Sequence, residues 1–464
     1  MDLFRKKDPR SYGEQFALKR CLTGFDLTLL GVGAVIGAGI FVLTGVVAAT
    51  QAGPAIVFSY VLAGLACVFA ALSYAELAAM IGGCGSAYGY AYAGFGELLA
   101  WIVGWDLLLE YTVSVSAVSV GWSAYVGDVF ESMSVHLPSM LLHGPAEGGL
   151  LNVMALVVIA FLTGLLSVGM RSSARFNHIM VSIKLMVVLS VVVVTAIAFK
   201  KQNWEPFVPF GWGGVVEGAS LIFFAYVGFD AVATTAEEVI EPQRNLPIGI
   251  VGSLFLCTAI YILVSASLTG AVSYKLLNVA SPISHALLLL GHSTMAGVVG
   301  VGAIAGLTTV MLVLFYGLSR VFLAMARDGL LPKYFAKIDP KTQTPLRIIF
   351  TCGLAMAMIA GCLPIGDLAE LVNVGTLFAF AVVCGGVILL RYKDPDAERP
   401  FKTPLMPLVP LLGIVCCLYL MAHLPWVTLL RFVVWMTLGM VVYFTFSRAN
   451  SVLAPGNLNL DGES

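Results

Sequence analysis

Six ionisable residues lie in or at the edges of strongly apolar stretches of this sequence: Glu76, Asp106, Glu110, Lys184, Asp230 and Arg431. A charge at the depth of a bilayer costs about 2.5 to 3.5 kcal/mol on insertion scales, so each needs a reason to be there. Lys184 has most of an apolar helix after it, and a lysine stripped of water can release a proton to a partner or a path. The alternative is that its stem snorkels back to the interface. Asp106 and Glu110 are four residues apart and share one helical face, so they could line a cavity together or form a static contact between helices. Asp230 follows a glycine in the middle of an apolar run, which suits a gating or proton-relay role. Glu76 and Arg431 sit near the ends of their stretches and read as interfacial.

A different chemistry is written into Gly31-Val-Gly-Ala-Val-Ile-Gly-Ala-Gly-Ile-Phe41, where four glycines fall within nine residues. Glycine costs a helix interior about 1 kcal/mol relative to alanine, so this is the weakest point of its helix. Unwinding there frees backbone groups, which a bilayer tolerates only where they line a cavity or meet a ligand. Such groups suit a zwitterion. The N-terminal end of a second half-helix starting near Ala38 to Ile40, with Gly37 and Gly39 beside it, can receive a carboxylate. The carbonyls of Val35 and Ile36 can hold an ammonium. The same glycines, Gly33 and Gly37, also make a GxxxG step that suits close helix packing. A dinucleotide fingerprint is excluded by spacing and by the lack of a preceding strand.

The elements that must position these residues are transmembrane helices. Hydrophobic residues are 59% and charged residues 11% of the 464, and mean hydropathy is +0.95. A soluble protein devotes about 25% to charge. About twelve segments have the roughly 20 apolar residues that a span requires: 27–49, 54–79, 96–126, 150–169, 177–199, 215–238, 247–270, 295–323, 346–362, 367–390, 405–422 and 425–446. With both termini inside, three of the 25 Lys and Arg fall outside (Lys200, Lys201, Lys275) and two fall within spans (Lys184, Arg431). The remaining excess is cytoplasmic, as the positive-inside rule asks. The loop from Asp128 to Gly149 then faces outward, and the stretches Arg320–Arg347 and Arg391–Lys402 face inward.

The expected division is a cytoplasmic tail over 1–26, five helices over 27–199, five more over 200–391, a final pair over 392–447, and a tail over 448–464. Broken first and sixth spans at corresponding places indicate a five-plus-five inverted repeat. The sixth carries Phe223-Phe-Ala-Tyr-Val-Gly-Phe-Asp230. No secretory leader is read at the N-terminus.

Several functions are excluded or disfavoured. The net charge of −1, without a basic stripe, argues against nucleic acid. Nine cysteines without a CxxC and six scattered histidines give no metal or disulfide framework, and no cofactor is expected. No nucleophile and base share a convincing spacing, so the chain is not expected to be an enzyme.

Six stretches together carry a family likeness: Gly31 to Phe41, Trp105 to Tyr111, Ser173 to Lys184, Phe223 to Val239, Pro242 to Ile248 and Arg327 to Pro332. In them, and over about Leu18 to Arg448, the chain resembles the amino acid-polyamine-organocation permeases, in particular the bacterial relatives of the cationic amino acid transporter branch. The resemblance implies an all-α polytopic membrane protein of twelve helices with the LeuT-type fold. It implies alternating-access transport of an L-amino acid across the plasma membrane, coupled to protons. It places substrate backbone groups against Val35, Ile36, Gly37, Ala38 and Gly39, and against Phe224, Ala225 and Val227, with Phe224 covering the substrate. Lys184 matches a lysine that takes the place of sodium in sodium-coupled relatives.

The chain departs from the family's pattern at Ala38, where relatives can carry Thr, and at Glu241, where Asn is familiar. Leu314 and Phe315 in the eighth span favour a small neutral amino acid such as alanine by excluding size. Glu110, if turned into that pocket, would instead favour arginine or lysine. An exchanger and a sensor that binds without transport remain as alternatives. A small accessory membrane subunit is left open.

Overall fold

The computed structural model describes residues 5, 22–81, 87–132, 135, 138–168, 173–279, 281–340, 342 and 344–454. Most of the expected N-terminal tail and residues 455–464 of the C-terminal tail lie outside the described residues, as do the side chains of 173–177 in the Ser173 to Lys184 stretch.

The described chain is helical, and its one β feature is an isolated bridge between Leu22 and Val239. In order the α-helices are α1 (Gly24–Val35), α2 (Thr44–Val47), α3 (Ile56–Ile81), α4 (Ala87–Gly94), α5 (Glu97–Ser132), α6 (Val153–Val168), α7 (Ser173–Ile197) and α8 (Gly211–Ile222). There follow α9 (Pro242–Ala271), α10 (Pro282–Leu289), α11 (Ser293–Arg327), α12 (Leu346–Cys362), α13 (Ile365–Lys393), α14 (Leu408–Ala422), α15 (Trp426–Val442) and the single turn α16 (Arg448–Asn450). Eight described helical stretches are long and apolar enough to cross a membrane, and four further apolar helices are shorter, among them α1, α6, α12 and α14. Every predicted segment overlaps one of these elements. The short helices α4 and α10 fall outside all twelve segments, because eight residues carry too little apolar length to register as a span.

Large apolar side chains on the outer faces stay uncovered, among them Ile197, Phe255 and Trp426, each at least three-quarters exposed. A water-facing surface of this kind would be a liability, whereas lipid accepts it. The inner faces bury a largely hydrophobic core that also takes in a minority of polar and charged side chains. Here α5 lies along α11 and α13, while α1 and α3 both lie against α9.

Two polar fixtures hold the periphery. Arg391 grips Glu76 with both ends of its fork, at 2.7 and 2.9 Å, and Arg399 adds a contact at 3.5 Å. The Thr403 backbone N–H completes the carboxylate's partners at 2.7 Å. Glu76 is therefore a buried staple between α3, the end of α13 and the loop beyond it. Arg431, by contrast, is half-exposed and meets Asp367 at 3.4 Å. On the other side Trp105 and Trp435 stack at 4.7 Å and exchange indole N–H donors with each other's backbone carbonyls, which fixes α15 to α5.

Candidate functional site

The glycine-rich helix does break. A capping box of Thr23 and Asp26 starts α1. Regular helix ends at Val35, Ile36 is extended (φ −73°, ψ 96°), and a wider helical turn resumes at Gly39–Leu43. At this restart the Ile40 and Phe41 N–H groups both donate to the Gly37 carbonyl at 3.2 Å, and the N–H groups just before them are those that a helix start leaves without a partner within the helix. The second break follows α8. A tight turn over Phe223–Tyr226 leads to extended Val227 (φ −58°, ψ 133°), and helix resumes as a 3-10 stretch at Asp230–Glu238. Gly228 between them has φ +114°, a conformation that other residues adopt only at a cost.

The two breaks abut. A Cβ on Gly39 would lie 2.2 Å from the Ala225 Cα, so only glycine allows the approach. A single side chain bridges them: the Tyr261 hydroxyl on α9 lies 2.9 Å from the Val35 carbonyl and 2.6 Å from the Ala225 carbonyl. With one proton to donate, it shares that donor between both strands of unwound backbone.

A small cavity of about 10 Å³, room for about one water, opens beside the breaks. Ala34, Val35, Gly37, Ala38 and Gly39 line it from the first, and Phe224 and Val227 from the second. The rest of the lining comes from α5, through Ser114 and Val118, and from α11, through Val310 and Leu314. Phe315 is buried elsewhere, since the next residue on a helix points about 100° away from Leu314.

Lys184 is fully buried and reaches from α7 to the first break. Its ammonium donates to the carbonyls of Gly33 and Ile36, both at 2.9 Å, and stands 3.5 Å from the Thr309 hydroxyl. The Ile36 carbonyl, expected from sequence to face a ligand ammonium, thus already accepts from Lys184, and Val35 from Tyr261. Each carbonyl keeps a second lone pair. Gly306 on α11 leaves room for the lysine stem, because a Cβ there would lie 3.1 Å from its Cδ.

Glu110 does not line the cavity; it sits one helical turn away on α5, about 6 Å along the axis from Ser114. Both of its oxygens are buried without a hydrogen-bond partner; Thr376 lies beside it but spends its hydroxyl on the Val372 carbonyl. Asp106, one turn further, is likewise unpartnered at both oxygens and faces Gly375 of α13. Asp230 is better served, accepting from the Tyr111 hydroxyl at 2.7 Å and the Gly228 N–H at 3.2 Å. Among the described residues none of these three carboxyls forms an ion pair with a Lys, Arg or His. The unpartnered phenol of Tyr74 lies near Glu110 and Asp230, and its ring packs on Tyr90, whose phenol is also unpartnered. Asp106, Glu110, Ser114 and Val118 recur every four residues, so one face of α5 runs from the carboxyls to the cavity.

Sequence reasoning did not single out Ser114, Val118, Val310, Thr309 or Tyr261. The four-residue recurrence from Asp106 was a usable signal for Ser114. Tyr261 offered none, being one aromatic in an apolar run.

Comparison with known proteins finds relatives over nearly the whole chain. The profile of the family described as amino acid permease matches residues 22–447. The branched-chain amino acid permease BcaP of Bacillus subtilis (strain 168) is 48% identical over 461 residues, covering 97% of this chain and 99% of that protein. The methylthioribose transporter of the same organism is 47% identical over 456 residues, with the same coverage. The human cationic amino acid transporter 4 is 37% identical over 402 residues, or 84% of this chain and 63% of the longer human protein.

Proposed function

Because this chain belongs to the amino acid permease family, we propose that it carries a small neutral L-amino acid across the cell membrane, by alternating access and in symport with a proton. The observation that carries the substrate class is the cavity. The unwound backbone in its lining suits a zwitterion, and Val118, Val310 and Leu314 beside it suit a short aliphatic side chain. Among the described residues no acid lines it, which disfavours the cationic substrates named for the more distant relatives. The name of BcaP extends the range from alanine to branched aliphatic side chains. Methylthioribose, named for the other close relative, lacks the charged ends that broken helices are built to receive.

Coupling falls to Lys184 and the carboxyls. Lys184 ties α7 to the first break, so loss of its proton would weaken two hydrogen bonds to the Gly33 and Ile36 carbonyls and loosen α1. Glu110 and Asp230 hold a second place for a proton, and Phe224 stands over the cavity as its gate. In this reading the helices up to residue 199 and those of 200–391 are the two inverted repeats, both termini are cytoplasmic, and the last two helices brace the assembly.

Counterflow tests the substrate class. Proteoliposomes loaded with unlabelled alanine are expected to take up labelled alanine, with valine competing and arginine and methylthioribose failing to compete. Binding without any flux would leave a sensor, and preferential competition by arginine would overturn the reading of the wall.

A further inference from the structure

Ser114 is the one polar side chain among the described residues that line the cavity. It is fully buried, and its hydroxyl has no hydrogen-bond partner. Its neighbours on α5 behave otherwise: Ser116 donates to the Thr112 carbonyl at 2.8 Å and Ser119 to the Ser116 carbonyl at 2.7 Å. Back-bonding of that kind is the usual fate of a serine inside a helix. Ser123 is also unpartnered, but it does not line the cavity. A buried hydroxyl without a partner is costly, and the cost is recovered when a ligand supplies the missing hydrogen bond.

The position of Ser114 says which part of the ligand does so. The backbone groups that suit a zwitterion lie at Val35 to Gly39 on the first break, whereas Ser114 reaches the cavity from a different helix, α5, together with Val118. We infer that Ser114 is a specificity-determining residue that hydrogen-bonds a heteroatom on the substrate's side chain, so that the site admits threonine and distinguishes it from its isostere valine. The inference rests on the amino acid reading above and deepens it. An apolar pocket alone discriminates weakly against an isostere that adds a hydroxyl, but a placed hydrogen-bonding group reads it.

Wild-type protein in proteoliposomes is tested first, by competition of L-threonine, L-allothreonine, valine and alanine with labelled alanine in counterflow. The two threonine diastereomers exchange the positions of hydroxyl and methyl, so a single fixed partner separates them. One hydrogen bond predicts a preference of about two- to tenfold between them. In Ser114→Ala that preference is expected to vanish, and the threonine-to-valine ratio of half-inhibition constants to rise by a similar factor. Equal inhibition by both diastereomers in the wild type overturns the inference while leaving alanine transport intact. A proportional loss for all four substrates in Ser114→Ala overturns it too, since the hydroxyl would then serve a group common to them. No flux of alanine or valine in the wild type would bring down the transport reading itself, and this inference with it.

Discussion

Removing one oxygen atom from Tyr261 should loosen the junction on which the cavity depends. Its hydroxyl touches the Val35 carbonyl at 2.9 Å and the Ala225 carbonyl at 2.6 Å, and so spans both breaks. Tyr261→Phe keeps the ring, which packs against Tyr60 at 5.2 Å and Tyr226 at 5.3 Å. It leaves two buried carbonyls without that donor. A hydrogen bond between membrane helices is worth about 0.6 kcal/mol on average and up to about 1.7. Two weakened contacts therefore cost about 1 to 2 kcal/mol. If the cost falls on the arrangement that binds substrate, affinity drops by a factor of about 5 to 30. Equilibrium binding of labelled valine to purified protein, with a thermal melt on the same sample, measures both parts. A variant whose affinity stays within about twofold of wild type would refute the bridging role, because the predicted loss is larger than that.

Two more substitutions probe the frame around the site. Gly39→Ala puts a methyl 2.2 Å from the Ala225 Cα, so the breaks must part; counterflow should fall by at least about tenfold while the protein still reaches the membrane. Glu76→Gln removes the charge that pairs with Arg391 and Arg399. A fully buried pair broken in this way costs about 3 to 5 kcal/mol, and the partial exposure of Arg391 reduces the expected loss to about 2 to 3. A thermal melt in detergent reads it, and an unchanged melt would mean that the staple contributes nothing.

The first break was legible because its cause is local. Four glycines in nine residues weaken a helix wherever it is placed, and the chain does leave helical geometry at Ile36. The second break was legible through Gly228, whose φ of +114° is the conformation that glycine permits. What escaped depends on partners far along the chain. The Glu76 staple joins residues more than 300 positions apart, and a carboxylate near a helix end gives no hint of it. Tyr261 acts through a hydroxyl aimed at backbone over 200 residues away, in a span whose composition is ordinary. Lys184 was picked out by the cost of its charge, but its reach to the Gly33 and Ile36 carbonyls required the packing of α7 on α1. Leu314 and Phe315 were read together, and helical geometry turns only the first toward the cavity.

The measurement that bears most directly on the whole account is accumulation of labelled alanine in proteoliposomes under an imposed inward proton gradient, comparing wild type with Lys184→Met. Methionine keeps much of the stem's bulk and removes both donors to the first break. The wild type should accumulate alanine above the external concentration, and the variant should take it up at a rate indifferent to the gradient. A variant that accumulates alanine as the wild type does, with the same dependence on the gradient, would contradict the assignment of coupling to Lys184.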